Sequence, residues 1–140
     1  MTTSPSMPSI ERIRLAAERL GAEIGARLIL LFGSAARGRR RPTDLDIGIL
    51  SDGTLDALGA TNRLIETLGV QAIDVADLRR ADPLLLALAA RDGIPVYEAA
   101  PGAFAAFASL AGRRFADTRK FREAERRELR DFIATTRGGG

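Results

Sequence analysis

Along the chain the spacing of apolar residues shifts between the three-to-four-residue period of a helix and the alternating or continuous pattern of a strand. In PSIERIRLAAERLGAEIG, Ile10, Ile13, Leu15, Ala16, Ala17 and Leu20 recur mostly at helical spacing, with Pro8 and Ser9 as start signals and Gly21 near the stop. A first helix is therefore predicted from residue 8 to about 22. ARLILLF, short and continuously apolar, predicts a buried strand, and the alternating DLDIGIL a second. TLDALGATNRLIETLG carries Leu55, Leu58, Leu64, Ile65 and Leu68 and predicts a helix; VQAIDVADL predicts a third strand. DPLLLALAARDG reads as a helix capped by Asp82, with Pro83 at its first position and Gly93 at its end. IPVYE is a short fourth strand. After Pro101 and Gly102 a helical region runs to about Thr136. It has Phe104, Phe107 and Leu110 on one face and Phe121, Ala124, Leu129, Phe132 and Ile133 on a later section, Gly112 kinking or dividing it, and a frayed GGG end. No internal repeat or linker interrupts this order. It predicts a small α/β sheet domain over residues 1–100, followed by a helical C-terminal extension over 101–140 that is available to bind a partner.

One strand breaks the apolar logic. Leu45, Ile47 and Ile49 have the spacing of core residues, yet Asp44 and Asp46 stand among them one residue apart. Residues two apart in a strand share a face, so the two carboxylates are expected to project together and to repel unless a cation lies between them. Magnesium suits such a pair, because it is hard, prefers oxygen and is often held by one or two carboxylates plus substrate phosphates. Asp74, flanked by Ile73 and Val75 in the next predicted strand, is the best third carboxylate; Asp77, three residues on, would face the other way in a regular strand.

Composition narrows the chemistry. The 140 residues contain neither cysteine nor histidine, which excludes disulfides, thiolate zinc sites and nucleophile pairs that rely on histidine. What remains is carboxylates, hydroxyls, arginines, backbone amides and hard metals. With 46% hydrophobic and 28% charged residues the composition is that of a globular protein; no apolar run is long enough for a membrane span and the N-terminus lacks the features of a secretory signal, so a cytoplasmic location is expected. Residues 1–100 carry 12 basic and 13 acidic side chains, and 101–140 the other 9 and 5 of the 21 and 18 in total. The basic excess therefore sits in the tail, where it suits an acidic partner or a nucleic acid, or is simply a solvated helix face.

Upstream of the aspartates, the first strand ends at Phe32 and turns through Gly33 and Ser34 into AARG. Small residues let a phosphate approach backbone amides, and the serine hydroxyl adds a donor. The turn is not a P-loop, since Arg39 and Arg40 follow where that motif needs Lys and Ser or Thr, and there is no G-x-G-x-x-G fingerprint.

Taken together, LILLFGS, the nine-residue spacer Ala35 to Thr43, DLDIGI and the later IDV resemble the DNA polymerase beta-like nucleotidyltransferase superfamily. The likeness covers about Ile10 to Glu98 and, at this chain length, is greatest to the minimal nucleotidyltransferases, many of which are antitoxin partners of HEPN-domain toxins. Thr43 stands where the family often has serine. The resemblance implies a mixed sheet flanked by helices, with Gly33 and Ser34 holding the β and γ phosphates of a nucleotide and Arg37, with Arg39, contacting phosphate. It implies that Asp44, Asp46 and Asp74 bind magnesium, two ions being expected, and that Asp74 helps to activate the attacking hydroxyl. It also implies transfer of AMP from ATP to a hydroxyl, a tyrosine, of a cognate HEPN toxin in a hetero-oligomer, with no direct nucleic-acid or membrane partner. Two other functions fit the residues: nucleotidyl transfer to a small molecule such as an aminoglycoside, for which the tail is short, and a non-catalytic module that masks a toxin. For the individual residues, the alternatives are a solvent-facing strand edge or cap at Asp44 and Asp46, an arginine pair at Asp74, a plain tight turn at Gly33, and solvated arginines from Arg37 to Arg41.

Overall fold

The computed structural model describes residues 8–32, 44–70, 72–117 and 126–127. Their elements run α1 (Ile10–Ile24), β1 (Ala26–Phe32), β2 (Asp44–Ser51), α2 (Ala57–Leu68), β3 (Ala72–Asp77), α3 (Pro83–Asp92), β4 (Ile94–Glu98) and α4 (Ala103–Asp117).

Local chemistry sets most of the helix boundaries. Ser9 caps α1, its hydroxyl accepting from the Arg12 amide at 3.3 Å; Asp56 caps α2 through the Gly59 amide at 3.0 Å, and Asp82 caps α3 through the Leu85 amide at 2.8 Å. Pro83 follows at the first position of α3, where its missing N–H would have lacked a helical partner anyway. At the other end α1 stops at Gly25, with φ 67°, and not at Gly21. Gly21 lies inside the helix because its lack of a side chain serves packing: a Cβ there would collide with the ring of Tyr97 on β4. α4 is likewise continuous through Gly112. The later part of the predicted helical region, with Phe121, Ala124, Leu129, Phe132, Ile133 and the GGG end, lies outside the described residues; Arg126 and Arg127 are helical.

The strands form one mixed sheet in the order β3-β2-β1-β4. β1 pairs antiparallel with both β2 and β4, whereas β2 and β3 are parallel and joined through α2. The C-terminal end of β1 and the N-terminal ends of β2, β3 and β4 therefore meet at one edge of the sheet.

Each face of the sheet has its own core. On one, Ile29, Leu31, Leu45, Ile47 and Ile49 are buried beneath α1 and α2, which contribute Ile13, Leu20, Leu64 and Leu68. On the other, Leu28 and Leu30 pack with Leu78, Leu86 and Ala89, and α4 adds Phe107 and Ala111. Each fully buried aliphatic side chain contributes about 1.5–3 kcal/mol. Leu15 and Leu58, which the spacing assigns to helix stripes, instead face solvent at 61% and 71% exposure. No helix among the described residues is long and apolar enough to cross a membrane.

Candidate active site

The sheet edge where β1 ends and β2 and β3 begin collects the acidic residues. Asp46 pairs with Phe32 of β1 on one side and with Asp74 of β3 on the other. Parallel strands lie about 4.8 Å apart and in-register residues share a face, so Asp46 and Asp74 stand side by side although 28 positions separate them in the chain. Asp44 takes the position two residues before Asp46, opposite Ala72. Asp46 is half-buried and Asp74 is exposed. Asp74 makes no ion pair among the described residues, unlike Arg27 with Asp52 or Arg91 with Asp92. The Asp44 side chain lies outside the description, and so do Gly33, Ser34, Arg37 and Arg39 of the intended phosphate turn; no set of three metal-binding side chains is complete among the described residues. Asp77 accepts from the Arg79 amide at 3.0 Å in the turn after β3 and, at an odd offset from Asp74, takes no part in the acidic edge.

Two supporting residues escape a reading for acids and phosphate turns. Gly48 occupies the strand position two residues after Asp46, and a Cβ there would lie 3.0 Å from Leu78 Cδ2. The missing side chain lets Leu78, part of the core under α3 and α4, pack onto the strand two positions from Asp46. An isolated glycine in an apolar strand is a signal of such close approach. Arg12 is the second: its Nη2 donates to the Leu68 carbonyl at 3.4 Å, tying α1 to the last turn of α2 just before β3. That contact joins elements far apart in the chain and leaves no local pattern to find.

In-register carboxylates on a partly exposed edge form an oxygen-donor site of the kind that hard divalent cations prefer. Residues 19–101 match the model of a known family, described as Polymerase beta, Nucleotidyltransferase. The chain belongs to this nucleotidyltransferase family. Its fold recurs in solved structures. A chain from a toxin–antitoxin structure with AMP-PNP is 24% identical, with a TM-score of 0.67 over 90% of this chain and 98% of the other. A chain from a MntA–HpeT toxin–antitoxin mutant, in which two aspartates two positions apart are glutamates, is 22% identical, with the same TM-score and coverage. A third comes from a tri-AMPylated Shewanella oneidensis HEPN toxin in complex with MNT antitoxin, at 22% identity and a TM-score of 0.66 over 89% and 98%. At these identities the likeness is one of fold. No curated protein matches the chain. Within the matched residues, β2 carries Asp44 and Asp46, and β3 carries Asp74 in register with Asp46.

Proposed function

We propose that this nucleotidyltransferase is the antitoxin of a toxin–antitoxin pair, transferring AMP from ATP to a tyrosine hydroxyl of a cognate HEPN-domain toxin in the cytoplasm. The observation that carries the reading is the register of Asp46 with Asp74, with Asp44 two positions before, in a chain of this family. The solved structures of similar fold support the choice of partner and nucleotide, since one holds AMP-PNP and another a tri-AMPylated HEPN toxin. Residues 1–100 are taken as the catalytic unit and 101–140 as an extension whose first helix, α4, adds Phe107 to the second core.

The donor set fits magnesium, with carboxylates in register on adjoining strands. Asp44, Asp46 and Asp74 would hold one or two ions, which when bound neutralise charge on the α-phosphate and on departing pyrophosphate. The chain's own residues do the rest. Gly33 and Ser34 are assigned to the β and γ phosphates and Arg37 to a further phosphate contact, all three outside the described residues. Asp74, more exposed than Asp46, is assigned to accept the proton of the incoming hydroxyl on a carboxylate oxygen. The hydroxyl oxygen then bonds to the α-phosphorus as the α–β bridging bond breaks and pyrophosphate leaves in line.

The test is the intact mass of the partner after incubation with this chain, ATP and magnesium, beside an Asp44→Asn/Asp46→Asn variant. Whole adenylate increments with the wild type alone are expected. No increment from any nucleoside triphosphate, with the two proteins still copurifying, would replace transfer with masking.

A further inference from the structure

The sheet face that bears Asp46 does not end at Gly48. Two residues further along β2, Leu50 opens a groove of about 110 Å³ whose floor is Leu78, Leu86 and Phe107, and whose outer wall is Leu110 and Ala111 of α4. The floor is buried, whereas Leu110 is 42% exposed at the edge of the packed face of α4. The rim is cationic, with Arg114 on α4 and Arg79 in the turn after β3. Arg79 also walls a second, polar cavity of about 320 Å³, shared with Arg80, Asp77, Gly53 and Thr54. An apolar slot and a basic pocket therefore adjoin along one arginine. Asp77, whose carboxylate accepts from the Arg79 amide, is the one acid among the described residues that line these cavities. None of Arg79, Arg80 and Arg114 is in an ion pair among the described residues.

We infer that this groove is the docking site for an acidic amphipathic segment of the acceptor protein, an inference that rests on the adenylyl-transfer reading above. An aliphatic side chain seats against Phe107 and Leu110, and flanking carboxylates meet Arg79, Arg80 and Arg114. Charge decides the occupant. The chain's own continuation beyond Asp117 carries 7 basic and 4 acidic residues, the same sign of charge as the rim, so neither it nor a second copy of it suits the groove. Nucleic acid would satisfy the arginines but not the aliphatic slot, because single strands are gripped by exposed aromatic faces and the one ring here, Phe107, is buried. Leu50 lies four residues from Asp46 on the same sheet face, about 13 Å along the strand. A segment held in the groove thus keeps the rest of its protein beside the acidic edge, converting the encounter with the attacking hydroxyl into a local event.

The test uses the full chain with its HEPN-domain partner, measuring affinity by isothermal titration for wild type, Arg79→Glu/Arg114→Glu, Leu110→Asp and Asp44→Asn/Asp46→Asn. All the groove positions changed are on the surface, and thermal melting checks that each variant is folded. The two groove variants are expected to bind more than about tenfold more weakly while the aspartate variant binds like wild type. Equal binding by the folded groove variants would overturn the groove and leave the transfer reading intact. Absence of binding by wild type would overturn both. Tight binding of a labelled single-stranded oligonucleotide that the arginine reversal abolishes would overturn the protein ligand in favour of nucleic acid.

Discussion

The two faces of the sheet are built from the same strands and do opposite work. Under α1 and α2 the face is uniform: Leu45, Ile47 and Ile49 follow one another along β2, all buried to within 1%. Under α3 and α4 the alternate positions of that strand run Asp44, Asp46, Gly48, Leu50, passing from acid to apolar within one strand. The difference shows how a small fold separates stability from chemistry. One face supplies unbroken burial, so the other can carry a charged edge at half its length and end its core at a glycine. A residue's parity along β2 then predicts which property its loss will damage.

Breaking the comparison at its charged end has the largest effect. Asp46→Asn is expected to lower adenylyl transfer by about 10–100-fold, by analogy with the loss of metal-site groups, while leaving the melting temperature unchanged or slightly raised as like charges are relieved. Single-turnover transfer and thermal melting on one preparation check both halves. Ile47→Ala, one residue along and on the covered face, should do the reverse: urea denaturation should show a loss of about 2–5 kcal/mol, with transfer per folded molecule preserved. Between the two lies Gly48→Ala, whose added methyl meets Leu78 at 3.0 Å. A loss of about 1–3 kcal/mol is expected from overpacking, with transfer impaired as well because Gly48 lies two positions from Asp46 on the same strand face. An unchanged protein would remove Gly48 as the boundary. The smallest effect belongs to a position outside the comparison, Asp82→Ala, which deletes the α3 cap and should lower stability by about 1 kcal/mol in the same denaturation experiment without affecting transfer.

How much of this was legible in the sequence follows the range of the forces involved. Ser9 and Asp82 mark helix starts through hydrogen bonds to amides three residues away, so the sequence exposes them directly. The alternation of DLDIGIL assigned Leu45, Ile47 and Ile49 to one buried face because strand geometry is periodic. Gly21 misled because glycine ends helices and also admits close neighbours, and only the fold brings Tyr97 against it. Leu15 and Leu58 misled for a related reason: helical spacing defines a stripe, but the neighbours that cover it decide its width. In the candidate site, Asp44 and Asp46 announce themselves as a pair, whereas the partnership of Asp46 with Asp74 depends on how β3 slides against β2, which no local pattern specifies. The roles given to Gly33, Ser34 and Arg37 rest on the sequence pattern.

That pairing also makes the molecule its own inspector. A slip of β3 by a single residue would carry Asp74 to the face under α1 and α2, where Ile73 now sits buried, and set an unpaired carboxylate in an aliphatic core. A misthreaded chain would thus be destabilised by the same residue to which the proposed function assigns proton transfer. If the proposed function holds, inactive molecules would tend to be unfolded ones, open to proteolysis, and would not persist as folded decoys able to occupy a partner without modifying it.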